Sequence, residues 1–311
     1  MIVYKLPQLE VVDRLPEGAA VCLGNFDGVH RGHQKLFDAA KDMAKEGFCS
    51  CSAVWCFSTL AKPVSPAPVL TDMQAKLDLF CKYGLEYAVF EDFDAVCNTP
   101  CDVFVSQYLV NTLRVGGVVC GFNFRFGKGG LGDSALLESL LSALSVPCNV
   151  LNAVIRRGLV ISSTEIRKRV EEGDMDGAFD LMGHPFAISF PVIHGNRIGR
   201  TIGVPTINQS FPKGHIIPKR GIYACTCYVD GEIFLGVANV GVRPTVSLSG
   251  DVNCETHIIN YSGDLYDKNI KVEFYNRLRD EMKFSSIDEL KAQIEKDISS
   301  CLQYFAAVYG G

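Results

Sequence analysis

Gly24-Asn25-Phe26-Asp27-Gly28-Val29-His30-Arg31-Gly32-His33 directly follows the apolar run Ala19-Ala20-Val21-Cys22-Leu23. Glycine lets a backbone come close to a bound group, and two histidines three residues apart can touch the same anion. The spacing predicts a buried strand, a glycine-bearing turn and then an amphipathic helix. The N-terminus of that helix offers unpaired N–H donors and the positive end of its dipole. Together these parts suit phosphate chemistry on a nucleotide. An ordinary connector also contains Gly, Asn and Asp, but it has no need of two histidines. A second stretch, Ile161-Ser162-Ser163-Thr164-Glu165-Ile166-Arg167, reads as a helix start. Hydroxyls cap free N–H groups. Three adjacent hydroxyls with an arginine one turn on also suit a triphosphate. The helical pattern runs on to Met182 and stops at Gly183.

The elements that must position these residues change character along the chain. Strand patterns at Ala20–Leu23, 51–57, 87–90, 117–122 and 148–155 alternate with helical ones at 33–45, where Gly47 is the stop, and 135–144. Such alternation predicts a doubly wound parallel sheet, whose ligands sit beyond the C-terminal strand ends. From His184 onward short strands follow one another, and Asp230-Gly231 marks a tight hairpin. A small antiparallel β-barrel is expected there. A helix capped at Ser286-Ile287-Asp288-Glu289 then lies against it. The reading is therefore an α/β chain of two domains, 1–183 and 184–311.

Bulk properties narrow the partners. A net charge of −5 over 311 residues argues against a broad nucleic-acid or membrane surface. Positive charge is local, at Arg125 with Lys128, at Arg156-Arg157 and at Arg167-Lys168-Arg169. The thirteen cysteines include no Cys-x-x-Cys pair, and Cys49/Cys51 and Cys225/Cys227 alternate as strand residues do. Buried free thiols are expected rather than a metal site. The N-terminus lacks signal-peptide form, and no apolar run reaches membrane-spanning length. A cytoplasmic protein acting on small molecules is expected, its oligomeric state left open. Gly127-Lys128-Gly129-Gly130-Leu131-Gly132 fits Gly-x-Gly-x-x-Gly. It lacks the later acid that would hold a ribose and reads as a mobile loop. A Walker A sequence is absent too, because glycine follows Gly127-Lys128.

Gly-x-Phe-Asp-Gly-x-His-x-Gly-His with a distant Ser-Ser-Thr-x-Ile-Arg resembles the nucleotidyltransferases of the His-x-Gly-His class. Within that class it resembles the N-terminal module of bacterial bifunctional FAD synthetases. Gly121-Phe122-Asn123-Phe124-Arg125-Phe126-Gly127 is similar to a further signature of that family, with Asn123 in a slot held by Asp or Asn. The stretch from Gly195 to Asn208 resembles the glycine-rich flap and Pro-Thr-x-Asn motif of the riboflavin kinase module. Gly221-Ile222-Tyr223-Ala224, Asn239-Val240-Gly241, Glu255-Thr256-His257 and Arg279-Asp280-Glu281 follow in family order. One departure stands out. Cys56-Phe57-Ser58-Thr59-Leu60-Ala61-Lys62-Pro63 lacks the Pro-His-Pro that the family usually carries after its second strand.

The resemblance implies two reactions. In the first module His30 and His33 would stabilise charge as FMN attacks the α-phosphorus of ATP. Gly24, Asn25, Phe26, Asp27, Gly28, Asn123 and Arg125 would bind nucleotide. Ser162, Ser163, Thr164 and Arg167 would hold the departing phosphates. In the second module Glu255 would act as general base for the riboflavin hydroxyl, and Thr206 and Asn208 would ligate Mg2+. Gly195, Gly199, Gly203 and Pro205 would form the phosphate flap. Arg279 would contact flavin or close the site, unless it is a surface ion-pair residue. The altered loop at 58–62 leaves open a kinase whose adenylyltransferase module is impaired. A non-catalytic flavin-binding regulator is the remaining alternative.

Overall fold

The structure, a computed structural model, describes residues 1–58, 67–195, 203–242 and 252–309. It separates into two compact units, Met1–Ser162 and Ser163–Gly311.

The first unit opens with β1 (Ile2–Lys5), β2 (Glu10–Val12) and β3 (Ala20–Leu23), then α1 (Arg31–Lys45). Next come β4 (Ser52–Phe57), α2 (Met73–Lys82) and β5 (Tyr87–Glu91). Short helices α3 (Phe93–Val96) and α4 (Cys101–Val103) lead into a π-helical stretch, Phe104–Thr112. The rest comprises β6 (Gly117–Gly121), β7 (Arg125–Phe126), β8 (Gly132–Asp133), α5 (Ser134–Ala143) and β9 (Cys148–Leu151). A ribbon of β10 (Ile155–Arg156) and β11 (Leu159–Val160) ends it. The main sheet runs β2-β1-β5-β4-β3-β6-β9, parallel from β5 to β9. An antiparallel β1–β2 edge, which the sequence reading missed, is added.

Every side chain of β3 is buried, as expected of a central strand covered on both faces. Leu36 and Phe37 of α1 pack with Leu77 and Phe80 of α2 in one core. Phe104, Leu109, Leu137 and Leu141 belong to the other. The expected doubly wound sheet is present, and the turn after β3 falls at its C-terminal edge.

The second unit begins with α6 (Ser163–Glu172) and α7 (Met175–Met182). These replace the single helix expected over this stretch. Gly173 takes a left-handed φ of 78°, and Asp174 starts a new helix by accepting from the Gly177 N–H at 2.9 Å. Ala178, Leu181 and Met182 are buried as α7 packs on the strands that follow. Both helices therefore group with the second unit, whereas the sequence reading set the boundary at 183.

Then come β12 (Phe186–Pro191), β13 (Ile207–Ser210), β14 (Gly221–Val229), β15 (Glu232–Val242), β16 (Val252–Ile258) and β17 (Asn269–Arg279). Their order is β12-β17-β14-β15-β16-β13, antiparallel throughout. The Ile193 N–H donates to the Asn208 carbonyl at 2.8 Å, bringing the chain after β12 to the far edge strand and closing the sheet. Asp230 and Gly231 both have positive φ, 49° and 89°, as the β14–β15 hairpin requires. Helix α8 (Ile287–Tyr309) covers one side, with Cys301 and Phe305 packed on Ile222, Ala224 and Val237.

One glycine tests the packing at the base of the first sheet. A Cβ at Gly116 would overlap the Gly18 carbonyl, a backbone group with no freedom to move aside. Gly116→Ala is expected to lower the unfolding free energy in urea by about 2 kcal/mol.

Candidate active site

The turn after β3 is held from outside by buried polar contacts. Phe26 and Val29 take positive φ, 53° and 37°, a costly conformation for non-glycine residues. Both side chains are buried, so packing fixes the turn. The Asp27 carboxylate accepts from the N–H groups of Leu70 and Thr71, each at 3.0 Å, and from the Thr71 hydroxyl at 3.1 Å. The same hydroxyl accepts from the Gly28 N–H at 2.9 Å. Asp27 therefore fastens the turn to the segment before α2. Gln34 donates to the Val29 carbonyl at 2.9 Å.

His30 is the N-cap of α1, and its Nδ1 accepts from the His33 N–H at 3.3 Å. That bond places any proton of a neutral His30 ring on Nε2. The rings of His30 and His33 stack with centroids 3.5 Å apart and planes 15° from parallel. The Phe26 ring meets His33 edge-on at 5.1 Å. Burial, then the His30 and Lys76 charges, hold the His33 ionisation well below the ordinary histidine value. His33 is thus a neutral imidazole at neutral pH and enters the site as a hydrogen-bonding group.

Beside them opens a cavity of about 500 Å³, lined by Gly24, Asn25, Phe26, His33, Asn123 and Arg125 among others. Its aromatic walls, Trp55, Phe57, Phe93, Phe104, Phe124 and Phe126, were not legible in the sequence because they come from scattered segments. The glycine stretch once read as a mobile loop forms the β7–β8 turn, and Gly127, Gly129 and Gly130 line the same cavity. Ser162 ends the first unit. Ser163, Thr164 and Arg167 lie in the first turn and a half of α6, in the second. Glu165 pairs with Arg169, at 3.0 Å, one turn along that helix.

In the second unit, register builds the site. Glu255 lies directly opposite Asn208 on one side and Asn239 on the other. Asn239 lies opposite Ile222, which lies opposite Arg279. Directly opposed residues share a face, so five strands present Asn208, Glu255, Asn239, Ile222 and Arg279 in one row. A cavity of about 250 Å³ takes in Glu255, Asn239, Arg279, Thr206, His257 and Asp297. A smaller cavity of about 70 Å³ touches Thr206, Pro205 and Tyr266.

Arg279 is no surface ion-pair residue. Its guanidinium donates to both carboxylate oxygens of the buried Asp297 on α8, at 2.8 and 2.6 Å. Gln293 donates to the same carboxylate at 2.9 Å. His257 Nδ1 donates to the Pro205 carbonyl at 2.8 Å, which ties the Pro-Thr-x-Asn segment to β16. Asn239, His257 and Asp297 were not singled out from sequence, although Asn239 and His257 stand inside motifs quoted above.

The residues present suit a hard divalent cation. Asn208 Oδ1 is buried without a hydrogen-bond partner. Gly195 packs so closely that a Cβ there would lie 2.5 Å from Asn208 Nδ2. Thr206 adds a hydroxyl on the same segment, and oxygen donors are what magnesium prefers. Among the described residues no group of three or more His, Cys, Asp or Glu could hold a metal. Gly199 and residues 59–62 of the altered 58–62 loop lie outside the described residues; Ser58, Gly203 and Pro205 lie within them.

A cavity beside the strand-turn-helix of a doubly wound sheet, and a second cavity on a closed antiparallel sheet, fit a two-module transferase. The family models agree in residue range. One described as FAD synthetase matches residues 12–165, and one described as riboflavin kinase matches 182–305. Relatives named bifunctional riboflavin kinase/FMN adenylyltransferase match over most of their length. The Bacillus subtilis protein is 34% identical, and 93% of each chain is covered. The Escherichia coli protein is 35% identical, again with 93% of each chain covered. The Haemophilus influenzae protein is 34% identical over 96% of this chain and 97% of its own. A solved structure titled macrolide-efflux protein, from Streptococcus pneumoniae, superposes with a TM-score of 0.81 at 26% identity. It covers 92% of this chain and 95% of its own. Among the described residues no helix is long and apolar enough to cross a membrane. The chain belongs to the bifunctional riboflavin kinase/FMN adenylyltransferase family, and the expected pair of transferase activities stands.

The neutral state of His33 has a consequence for stability. An unfolded histidine takes up its proton near about pH 6.5, whereas folded His33 resists it until lower pH. The unfolded chain therefore binds more protons as pH falls, and this contribution is intact above that value and lost below it. Urea unfolding is expected to show a loss of stability from about pH 7 to about pH 5 that is smaller in His33→Gln.

Proposed function

We propose that the two reactions are divided between the two cavities. FMN is adenylylated beside His30 and His33, and riboflavin is phosphorylated beside Glu255. The observation that carries this reading is that each cavity takes in members of one candidate set and none of the other. Asn25, His33, Asn123 and Arg125 line the larger one; Thr206, Glu255 and Arg279 line the smaller.

In the first, an FMN phosphate oxygen attacks the α-phosphorus of ATP. The bond to the β-phosphate oxygen breaks, and pyrophosphate leaves. Such a transfer needs alignment and charge stabilisation rather than a covalent nucleophile. Imidazole N–H groups and the Asn25 and Asn123 amides supply donors, and Arg125 supplies charge. The aromatic walls suit a flat flavin ring. Ser162, Ser163, Thr164 and Arg167 are assigned to the β- and γ-phosphates, on helix-start chemistry alone.

In the second, the terminal ribityl hydroxyl of riboflavin attacks the γ-phosphorus of ATP and ADP leaves. The hydroxyl must lose its proton, and Glu255, which lines this cavity, would take it. Thr206 and Asn208 would hold Mg2+, which when bound neutralises charge on the ATP phosphates. Gly195, Gly203 and Pro205 are assigned to the phosphate flap on the motif alone. Arg279, oriented by Asp297, faces the flavin. All thirteen cysteines are free thiols, which fits a reducing, cytoplasmic setting.

Variants separate the sites. The double variant His30→Ala/His33→Ala is expected to keep forming FMN from riboflavin, while FAD formation from FMN falls about 100-fold or more. Glu255→Gln should do the reverse, losing FMN formation by about 100-fold while still converting added FMN to FAD. Loss of both activities in either folded variant would contradict the division. Chelation of magnesium by EDTA should stop riboflavin phosphorylation, and restored magnesium should recover it.

A further inference from the structure

Lys76 on α2 is only 4% exposed. Its ammonium donates to the Asn25 carbonyl at 2.6 Å and to Asn25 Oδ1 at 3.3 Å. Among the described residues no carboxylate pairs with it, and its third N–H finds no acceptor. Asp27, two residues from Asn25, has its carboxylate committed to Leu70 and Thr71. A buried ammonium without a counter-charge is costly, and proteins normally pair or neutralise one.

The position of this charge explains its retention. Asn25 lines the larger cavity, and its Oδ1 is turned back to Lys76. The group Asn25 then offers the cavity is its Nδ2 donor. With the amide reversed, an acceptor oxygen would face any phosphate there and repel it. Lys76 also lies close enough to His33 to help hold that ring neutral.

We propose that Lys76 is a positioning residue for adenylyl transfer. Its buried charge fixes Asn25 with the amide donor toward the cavity and counterbalances a phosphate group bound there. The inference rests on the assignment of adenylyl transfer to the first unit. The bound anion, not a protein carboxylate, completes the charge pair.

Two substitutions in the full chain separate charge from packing. Lys76→Gln keeps a donor for the Asn25 oxygens and removes the charge; Lys76→Arg keeps the charge. The readouts are FMN adenylylation as a function of pH and riboflavin phosphorylation. In Lys76→Gln, kcat/KM for FMN adenylylation is expected to fall by about 10- to 100-fold, and Lys76→Arg should recover most of it. Riboflavin phosphorylation stays unchanged in both. The acid limb of the adenylylation profile should move to higher pH in Lys76→Gln, because His33 loses a positive neighbour. Full adenylylation by Lys76→Gln with an unmoved acid limb overturns the proposal. Equal loss in both variants without any shift of the limb also overturns it, since that is a packing fault. If the His30→Ala/His33→Ala protein keeps FMN adenylylation, the site assignment itself fails and the proposal falls with it.

Discussion

Asn208, Glu255 and Asn239 stand on one face of the second sheet only because β13, β16 and β15 pair without an inserted residue between them. Side chains alternate along a strand, so a slip of one residue would turn Glu255 away from the cavity and away from both amides. The same kind of constraint governs the first unit. Its parallel strands end together at one edge of the sheet, and the chain leaves β3 at Gly24 next to the Trp55 carbonyl on β4, to which the Gly24 N–H donates at 3.2 Å. In both units pairing decides where polar groups appear, and the residue types then decide what they can do there.

Where the pairing is broken, the break has a use. Between β14 and β17, Ile222 opposes Arg279 and Tyr223 opposes Arg277, so Leu278 is an extra residue; Tyr275 is another further along. Bulges of this kind bend a strand and re-aim its side chains. Both extra residues pack toward α8, and Arg279 ends its strand within reach of Asp297 on that helix. The C-terminal helix therefore lines the second cavity as well as covering the sheet.

The sequence disclosed those parts whose chemistry is local. The buried run at Ala20–Leu23, the histidine pair and the Asp230-Gly231 hairpin all depend on neighbours a few residues away, and each appears where expected. Long-range dependences were hidden. Asp27 looked like a ligand-binding residue, but its partners Leu70 and Thr71 lie more than forty residues on. Lys76 carries no local signal, because only tertiary packing buries it against Asn25. Gly173 breaks a helix whose pattern reads as continuous, because Asp174 offers a competing start. The aromatic cavity walls were invisible for the same reason, since no periodicity links Trp55, Phe93 and Phe124.

The central claim is that one chain performs two chemically different transfers from ATP, one at the γ-phosphorus and one at the α-phosphorus. The direct measurement supplies the intact enzyme with riboflavin, magnesium and ATP labelled at one phosphorus, then separates the flavins. Label from the γ-position is predicted in FMN and, through it, in FAD. Label from the α-position is predicted in FAD and never in FMN. Label from the α-position in FMN, or FMN accumulating with no FAD, would contradict the account.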